Sequence, residues 1–151
     1  MSSLLTLVGI LIVGLLAFLF VQRIIFAVIR RVLRDEVHQR IRGREVLLQS
    51  FTANFFGRES LGPAQIRGNG ALILTRTELI FILAFPRRET VIPIETITAV
   101  TQPRGHLGKS ALRPLLRVQF TGPKGEDAIA WAVRDPDRWQ KGIETVAPQN
   151  G

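Results

Sequence analysis

The stretch GALILTRTELIFILAF, residues 70–85, decides the fold. Two apolar segments, Gly70–Thr75 and Leu79–Phe85, flank the polar pair Arg76–Thr77, a pattern typical of two strands joined by a tight turn. In the second segment, side chains of alternating positions point to opposite faces of a sheet. One face carries Leu79, Phe81, Leu83 and Phe85, and the other carries Ile80, Ile82 and Ala84.

Similar strand patterns recur along the rest of the chain beyond residue 43. The predicted strands are Glu45–Phe51, Glu89–Pro93, Ile97–Gln102, Leu116–Phe120 and Ile129–Val133, in addition to the two segments above. Thr121–Gly125 (TGPKG) has the composition of a turn. Strands of this length and spacing predict an antiparallel meander of about seven strands.

A helix is predicted after the last strand. Asp135 is a good N-cap, Pro136 suits the first helical position, and Pro148 is expected to end the helix. Trp139, Ile143 and Val146 recur at helical spacing and form an apolar stripe. The predicted fold class is mainly β: a partly open barrel or sandwich capped by a C-terminal α-helix, preceded by one N-terminal transmembrane helix.

The N-terminal segment predicts that transmembrane helix. No charged residue occurs from Leu4 to Val21. As a helix, Leu4–Gln22 is about 28 Å long, which matches a hydrocarbon core of about 30 Å. A cleaved signal peptide would need a basic start, whereas Met1–Ser3 has no basic residue and arginines follow the segment. We therefore assign residues 1–22 to an uncleaved membrane anchor.

Much of the formal charge of +8 lies directly after this anchor, where seven arginines between residues 23 and 44 face only two acidic residues. Because basic flanks stay on the cytoplasmic side, the N-terminus is predicted outside and the domain in the cytoplasm. Residues 23–42 also have helical amphipathicity. Their arginine face (Arg23, Arg30, Arg31, Arg34) would contact lipid headgroups and the opposite face (Ile25, Val28, Ile29, Val32) the acyl chains. Alternatively, these arginines are only a topological stop signal.

The domain resembles the GRAM and bacterial pleckstrin-homology-like (PH-like) domains. The resemblance rests on residues 70–75, the strand end Ile92-Pro93-Ile94, and Asp135 and Trp139 at the last helix. It covers residues 43–147, leaving 148–151 as a tail. It implies a PH-like fold, a bacterial source and hence the plasma membrane, but no specific ligand, because this fold hosts lipid binders, peptide binders and assembly modules.

Four arginines in two loops are the candidate binding site. In a meander, the connections between the first and second strands and between the third and fourth strands lie at the same end. These connections contain Arg58, Arg67, Arg87 and Arg88. Guanidinium groups converging there could hold a phosphorylated headgroup through bidentate contacts. The alternative is that these are ordinary solvated loop arginines.

The residue types available for catalysis are few. The chain has no cysteine, which excludes a disulfide, a thiolate metal site and a cysteine nucleophile, and its two histidines, His38 and His106, lie far apart. We predict that His106 is a surface residue of the loop Pro103–Pro114, which would be a mobile connector or reach the membrane. We expect no enzyme activity, no metal and no cofactor. Nucleic acid is not an expected partner, because the arginines lie where a membrane needs them.

Two functions remain from different classes. The first is a membrane-anchored, non-enzymatic module that docks anionic membrane lipids or a membrane protein partner. The alternative is a structural or assembly subunit that forms homo- or hetero-oligomers through the β domain. Salt distinguishes them, since headgroup docking weakens with ionic strength and an apolar interface does not.

Overall fold

The computed structural model describes residues 2–147, and side chains from Thr6 onward. The predicted stop at Pro148 and the tail lie outside the described residues. The elements are α1 (Ser2–Arg40), β1 (Val46–Arg58), β2 (Gly68–Thr75), β3 (Glu78–Leu83), β4 (Arg88–Pro93), β5 (Ile97–Thr101), β6 (Gly105–His106), β7 (Lys109–Ser110), β8 (Leu116–Gly122), β9 (Gly125–Ala132) and α2 (Pro136–Val146).

Seven of the strands form one antiparallel sheet in the order β4-β3-β2-β1-β9-β8-β5. Its two edge strands, β4 and β5, are consecutive in the chain and joined by a 3-10 turn at Ile94–Thr96. The sheet therefore curls into a barrel that stays open between its edges. This arrangement confirms the predicted fold class, a mainly β, partly open barrel with a C-terminal helix and a long apolar helix before it.

The β2–β3 hairpin forms as the alternation predicted, with Leu74 opposite Leu79 and Gly70 opposite Leu83. Its inward side chains, Leu72, Leu74, Leu79, Phe81 and Leu83, belong to the main core. The other face, Ala71, Ile73, Ile80 and Ile82, is equally buried, because it packs against α1. Phe85 departs from the prediction: β3 ends at Leu83, the chain turns through residues 84–87, and the Phe85 ring is 84% exposed.

The α2 helix caps the core as predicted. The Asp135 carboxylate accepts a hydrogen bond from the Arg138 backbone N–H at 3.0 Å, which satisfies one of the free donors at the helix start. Trp139 and Ile143 are buried in the main core, and Val146 packs against it. The helical spacing of these three residues thus gives α2 its buried face.

The N-terminal helix is one continuous α-helix of 39 residues. Its apolar part has a mean hydropathy of 2.5 and none of it is buried, so its length and composition suit a membrane anchor or a signal sequence. The last third of the helix is different: Leu33 and Val37 are buried against the outer face of β2 and β3, and Ile29 packs beside them. Ile29 therefore faces the sheet, whereas Ile25, Val28 and Val32 remain exposed.

Candidate functional site

The packing of α1 on the sheet determines which end of the barrel is nearest the apolar segment. Near the C-terminal end of α1, Arg40 and Arg44 form ion pairs with Glu78, the first residue of β3. Closer to the apolar segment, Ile29 packs in the same cluster as Ala84, just past the end of β3. β3 therefore runs antiparallel to α1, and the β3–β4 loop lies at the end of the barrel nearest the apolar segment.

The β1–β2 loop lies at this same end. Gly68, at the start of β2, is so close to Leu83 that an added Cβ would be 2.6 Å from Leu83 Cδ1. Phe55 of β1 pairs with Gly68, and Gly70 pairs with Leu83. The two loops are therefore neighbours, and we call this end of the barrel the mouth. Only Arg67 and Arg87 lie in these loops, because Arg58 is the last residue of β1 and Arg88 the first residue of β4.

A cleft of about 420 Å³ separates α1 from the mouth, and we call it the helix–loop cleft. It is lined by Arg23, Phe26, Ile29, Arg30 and Leu33 of α1, and by Phe51, Thr52, Asn69, Ala84 and Phe85 of the barrel. Arg23 and Arg30 are the charged residues of this lining. An apolar cleft with cations along the helix suits a phospholipid, whose headgroup phosphate is anionic and whose chains are apolar.

Exposed apolar side chains project at the tips of the mouth loops. Phe85 and Ile66 are more than three-quarters exposed, and Leu61 is 56% exposed. Apolar tips beside arginines are typical of surfaces that contact membranes or partners. Sequence analysis did not single out these residues. It placed Phe85 on the same strand face as Phe81 and Leu83, although Pro86 directly after it is a signal for a turn.

Arg58 is half-buried and has an intramolecular partner. Its Nε donates to Oδ2 of the buried Asp127, and its guanidinium lies 5.4 Å from the Phe120 ring centroid. Burial alone would raise the pKa of Asp127, but hydrogen bonds from Arg58, Ser60 and Ala128 outweigh it and lower that pKa. The Asp127 carboxylate is thus ionised, and it occupies one donor of the Arg58 guanidinium.

The other three mouth arginines differ in their partners. Arg67 stacks on Phe56, 3.9 Å from the ring centroid, and Arg87 forms an ion pair with Glu36 of α1. Arg88 forms no ion pair with any residue of the described chain, and it lines a cavity of about 60 Å³ together with Arg58 and Leu61. The structure therefore brings Arg58 and Arg88 to one cavity, while Arg87 is drawn toward the helix and Arg67 toward Phe56.

The arginines predicted to contact lipid headgroups from α1 are exposed. Arg30 Nε donates to the Phe26 carbonyl oxygen at 3.2 Å, and the Arg34 guanidinium lies 5.8 Å from the Phe51 ring centroid. Arg23, Arg30, Arg31 and Arg34 form no ion pairs within the described part of the chain, so their charges remain available for an external anion.

The prediction that His106 is a surface loop residue was wrong. The predicted connector Pro103–Pro114 contains the β6–β7 hairpin, and His106 is buried against β1, with Nε2 3.1 Å from the Gly57 carbonyl oxygen. Burial lowers its pKa, and the carbonyl of Gly57 and the carboxylate of Glu59 only partly oppose this. The sequence signal for this packing was Leu107, an apolar residue next to His106. Its side chain lies against Gly57 of β1 and holds the hairpin there.

Three solved structures are similar to this chain at low sequence identity. The C-terminal domain of an unknown protein from Leishmania infantum is 13% identical, with a TM-score of 0.53, over 81% of this chain and 96% of that chain. The N-terminal PH domain of Vps36 is 14% identical, with a TM-score of 0.49, over 69% of this chain and 82% of that chain. SsgB of Streptomyces coelicolor is 11% identical, with a TM-score of 0.36, over 70% of this chain and 91% of that chain. That structure is described through mutations in SsgB that correlate to longitudinal cell division during sporulation.

No protein-family model matches the chain, and no curated protein matches it. The likeness to the Leishmania domain supports the fold alone. Together with the strand order and the two helices, it defines the class of this protein: a seven-stranded, partly open antiparallel β-barrel with a C-terminal helix, fused to a long apolar helix.

Proposed function

We propose that this protein is a membrane-anchored, non-enzymatic binding module that docks anionic lipid headgroups at the cytoplasmic face of the plasma membrane. The observation that carries the proposal is the helix–loop cleft, in which Arg23 and Arg30 lie beside the apolar Phe26 and Phe85. The cleft lies where the apolar part of α1 meets the domain. With α1 in a bilayer, this position is the headgroup layer.

Charge supplies the attraction to the membrane. An arginine near an anionic leaflet contributes about 1 kcal/mol to the free energy of membrane binding. Arg23, Arg30, Arg67 and Arg88 are free of intramolecular ion pairs across the described residues, so they are the best contacts for phosphate groups. Arg58 and Arg87 contribute less, because Asp127 and Glu36 already neutralise them.

The anchor makes a weak headgroup contact sufficient. A module that is permanently at the membrane binds lipids at a high effective concentration. Because the last third of α1 packs on the sheet, the mouth is also held at a fixed angle to the helix. The domain therefore needs little additional ordering on docking, which is an entropic advantage.

The test uses the full-length protein in lipid nanodiscs. The chain has no cysteine, so Leu61→Cys provides a single labelling position at the mouth for an environment-sensitive dye. Discs of phosphatidylcholine are compared with discs containing phosphatidylglycerol, at low and at physiological salt. We expect the dye to report a more apolar environment in the anionic discs, and the difference to decrease as salt screens the charges.

Two variants separate specific contacts from general attraction. Arg67→Ala with Arg88→Ala should remove most of the response to phosphatidylglycerol. Arg42→Ala with Arg76→Ala is the charge-matched control, because Arg42 follows the end of α1 and Arg76 lies in the β2–β3 turn, both at the opposite end of the sheet. An identical dye signal in neutral and anionic discs would show that the mouth does not dock headgroups.

A further inference from the structure

The first half of β1 has an unpaired edge. β1 pairs with β2 from Val46 to Phe55, but on its other side it pairs with β9 only from Asn54 to Arg58. β9 ends at Ala132, and the chain then turns into α2. Within the described chain, the backbone of residues 46–53 therefore faces no strand on that side, although the N–H of Thr52 is bonded to the Ser50 hydroxyl.

This edge forms the floor of a groove of about 1120 Å³, which we call the edge groove. The helix α1 covers the outer face of the sheet and α2 covers the inner face, so the edge lies between two helical walls. On the α2 side, Gly142 permits the close approach, because a Cβ there would be 2.6 Å from Leu48 Cδ1. The groove exceeds the roughly 300–1,000 Å³ of small-molecule pockets.

The walls of the edge groove are strongly basic. Arg30 and Arg34 line it from α1, and Arg134 and Arg138 line it from the start of α2. None of these four forms an ion pair with another described residue. The lining contains one acidic residue, Asp135, and its carboxylate already accepts the Arg138 backbone N–H as the helix cap. The groove therefore presents uncompensated positive charge on both sides of an open strand edge.

We propose that the edge groove binds an extended acidic segment of a partner protein by strand addition to β1. The partner's backbone would pair with the edge at residues 46–52, a length that accepts roughly six residues. Carboxylates on both faces of the segment would pair with Arg30, Arg34, Arg134 and Arg138, and its apolar side chains would contact Leu47, Leu48 and Phe51. A lipid headgroup would complement the arginines but not the unpaired backbone groups, which is why the geometry favours a peptide.

The position of the groove indicates the type of partner. Arg30 is eight residues beyond Gln22, so the groove begins about 12 Å along the helix from the end of the predicted span. In another membrane protein, a segment that directly follows a membrane-spanning helix lies at the same distance from the membrane and can reach the groove. Peptide binding in the edge groove depends on the membrane anchor but not on headgroup docking at the mouth. Each of the two hypotheses can therefore fail while the other holds.

The probe is a fluorescein-labelled octapeptide of repeating Asp-Asp-Val-Val, which puts carboxylates on both faces of a strand. It is titrated by anisotropy against the full-length protein in nanodiscs of neutral phosphatidylcholine. A second peptide of the same sequence carries N-methyl groups on alternate amides, which keeps the charge and blocks strand pairing. We expect the first peptide to bind and the methylated peptide to bind about tenfold more weakly or less. Hydrogen exchange of the amides in residues 47–52 should slow only with the first.

Charge-matched variants test the groove itself. Arg134→Glu with Arg138→Glu should weaken binding of the acidic peptide by about tenfold or more. The control, Lys124→Glu with Lys141→Glu, changes the net charge by the same amount at exposed positions outside the groove. It should retain most of the affinity for the peptide.

Three outcomes overturn the proposal. These are equal binding of the two peptides, no binding of the acidic peptide up to about 1 mM, or protection of the β1 amides by phosphatidylglycerol alone. Each of these outcomes is distinguishable from failure of headgroup docking, because headgroup docking is measured by the dye attached at Leu61→Cys.

Discussion

At the level of single residues, a buried carboxylate organises the mouth of the barrel. Asp127 on β9 accepts hydrogen bonds from the Ser60 backbone N–H at 3.0 Å, from the Ser60 hydroxyl at 2.7 Å and from Arg58. The side chain of Asp127 is only 4% exposed. One residue thus holds the end of β1 and the start of the β1–β2 loop against β9, so this loop depends on Asp127 for its position.

The first prediction is that Asp127→Asn destabilises the domain by about 2 kcal/mol, because a buried bond to a charged group is lost and Arg58 is left without its anion. Chemical denaturation of the full-length protein in detergent, followed by tryptophan fluorescence, measures it. The exposed pair Arg76–Glu45 offers the control: Glu45→Gln should cause no comparable loss. Equal effects of the two substitutions would mean that burial of the carboxylate is unimportant.

The second prediction concerns His106 and pH. Its pKa is lowered in the folded protein by burial, so the unfolded chain takes up this proton at a higher pH. The stability that neutral His106 contributes is therefore present above its ordinary pKa of about 6.5 and is lost as the pH falls from there toward the folded value. Thermal unfolding should occur at a lower temperature at pH 5.5 than at pH 7.5.

His106→Gln should remove most of this pH dependence, because glutamine does not titrate. His38 on α1 is exposed, so His38→Gln is the matched control and should leave the dependence unchanged. A pH response that survives His106→Gln would have to come from other groups, and the explanation by burial of this imidazole would be wrong.

At the level of elements, the last third of α1 is part of the domain. It covers Ala71, Ile73, Ile80 and Ile82, which would otherwise expose an apolar sheet face. The third prediction is that a fragment starting at residue 43 self-associates or aggregates, whereas one starting at residue 27 is a folded monomer. Size-exclusion chromatography with light scattering distinguishes them.

Matched substitutions in the longer fragment test the cause. Leu33→Asp with Val37→Asp should reproduce the behaviour of the short fragment, since both positions are buried against the sheet. Val28→Asp with Val32→Asp alters exposed positions of the same helix and should preserve the monomer. Monomeric behaviour of the fragment from residue 43 would show that the sheet does not need α1.

The elements that the sequence predicts well are those defined by neighbouring residues. The β2–β3 hairpin follows from alternation over a few positions, and α2 follows from its cap and its apolar stripe. The features that it missed join distant residues: Arg58 and Asp127 are 69 positions apart, and His106 and Gly57 are 49 apart. Ile29 illustrates the same limit, because an apolar helical face fits a sheet as well as it fits acyl chains.

At the level of the whole molecule, the continuity of α1 determines what the barrel can reach. The helix passes from its apolar part into the sheet without a break, and ion pairs of Arg40 with Glu89 and of Arg87 with Glu36 add to the apolar contact. A flexible linker would let the domain rotate freely at the membrane. This junction instead directs the mouth toward the apolar segment and the β2–β3 turn away from it.

The fourth prediction follows from this orientation. In nanodiscs with acceptor dyes at the lipid headgroups, a donor on Ile66→Cys should transfer energy more efficiently than a donor on Thr77→Cys, because Ile66 lies at the mouth and Thr77 in the β2–β3 turn. Both positions are exposed, and the chain has no native cysteine to label. A flexible Gly-Ser insertion between Gln22 and Arg23 should reduce the difference, because it breaks the helical connection. Equal transfer from the two positions in the uninterrupted protein would contradict the fixed orientation on which headgroup docking depends.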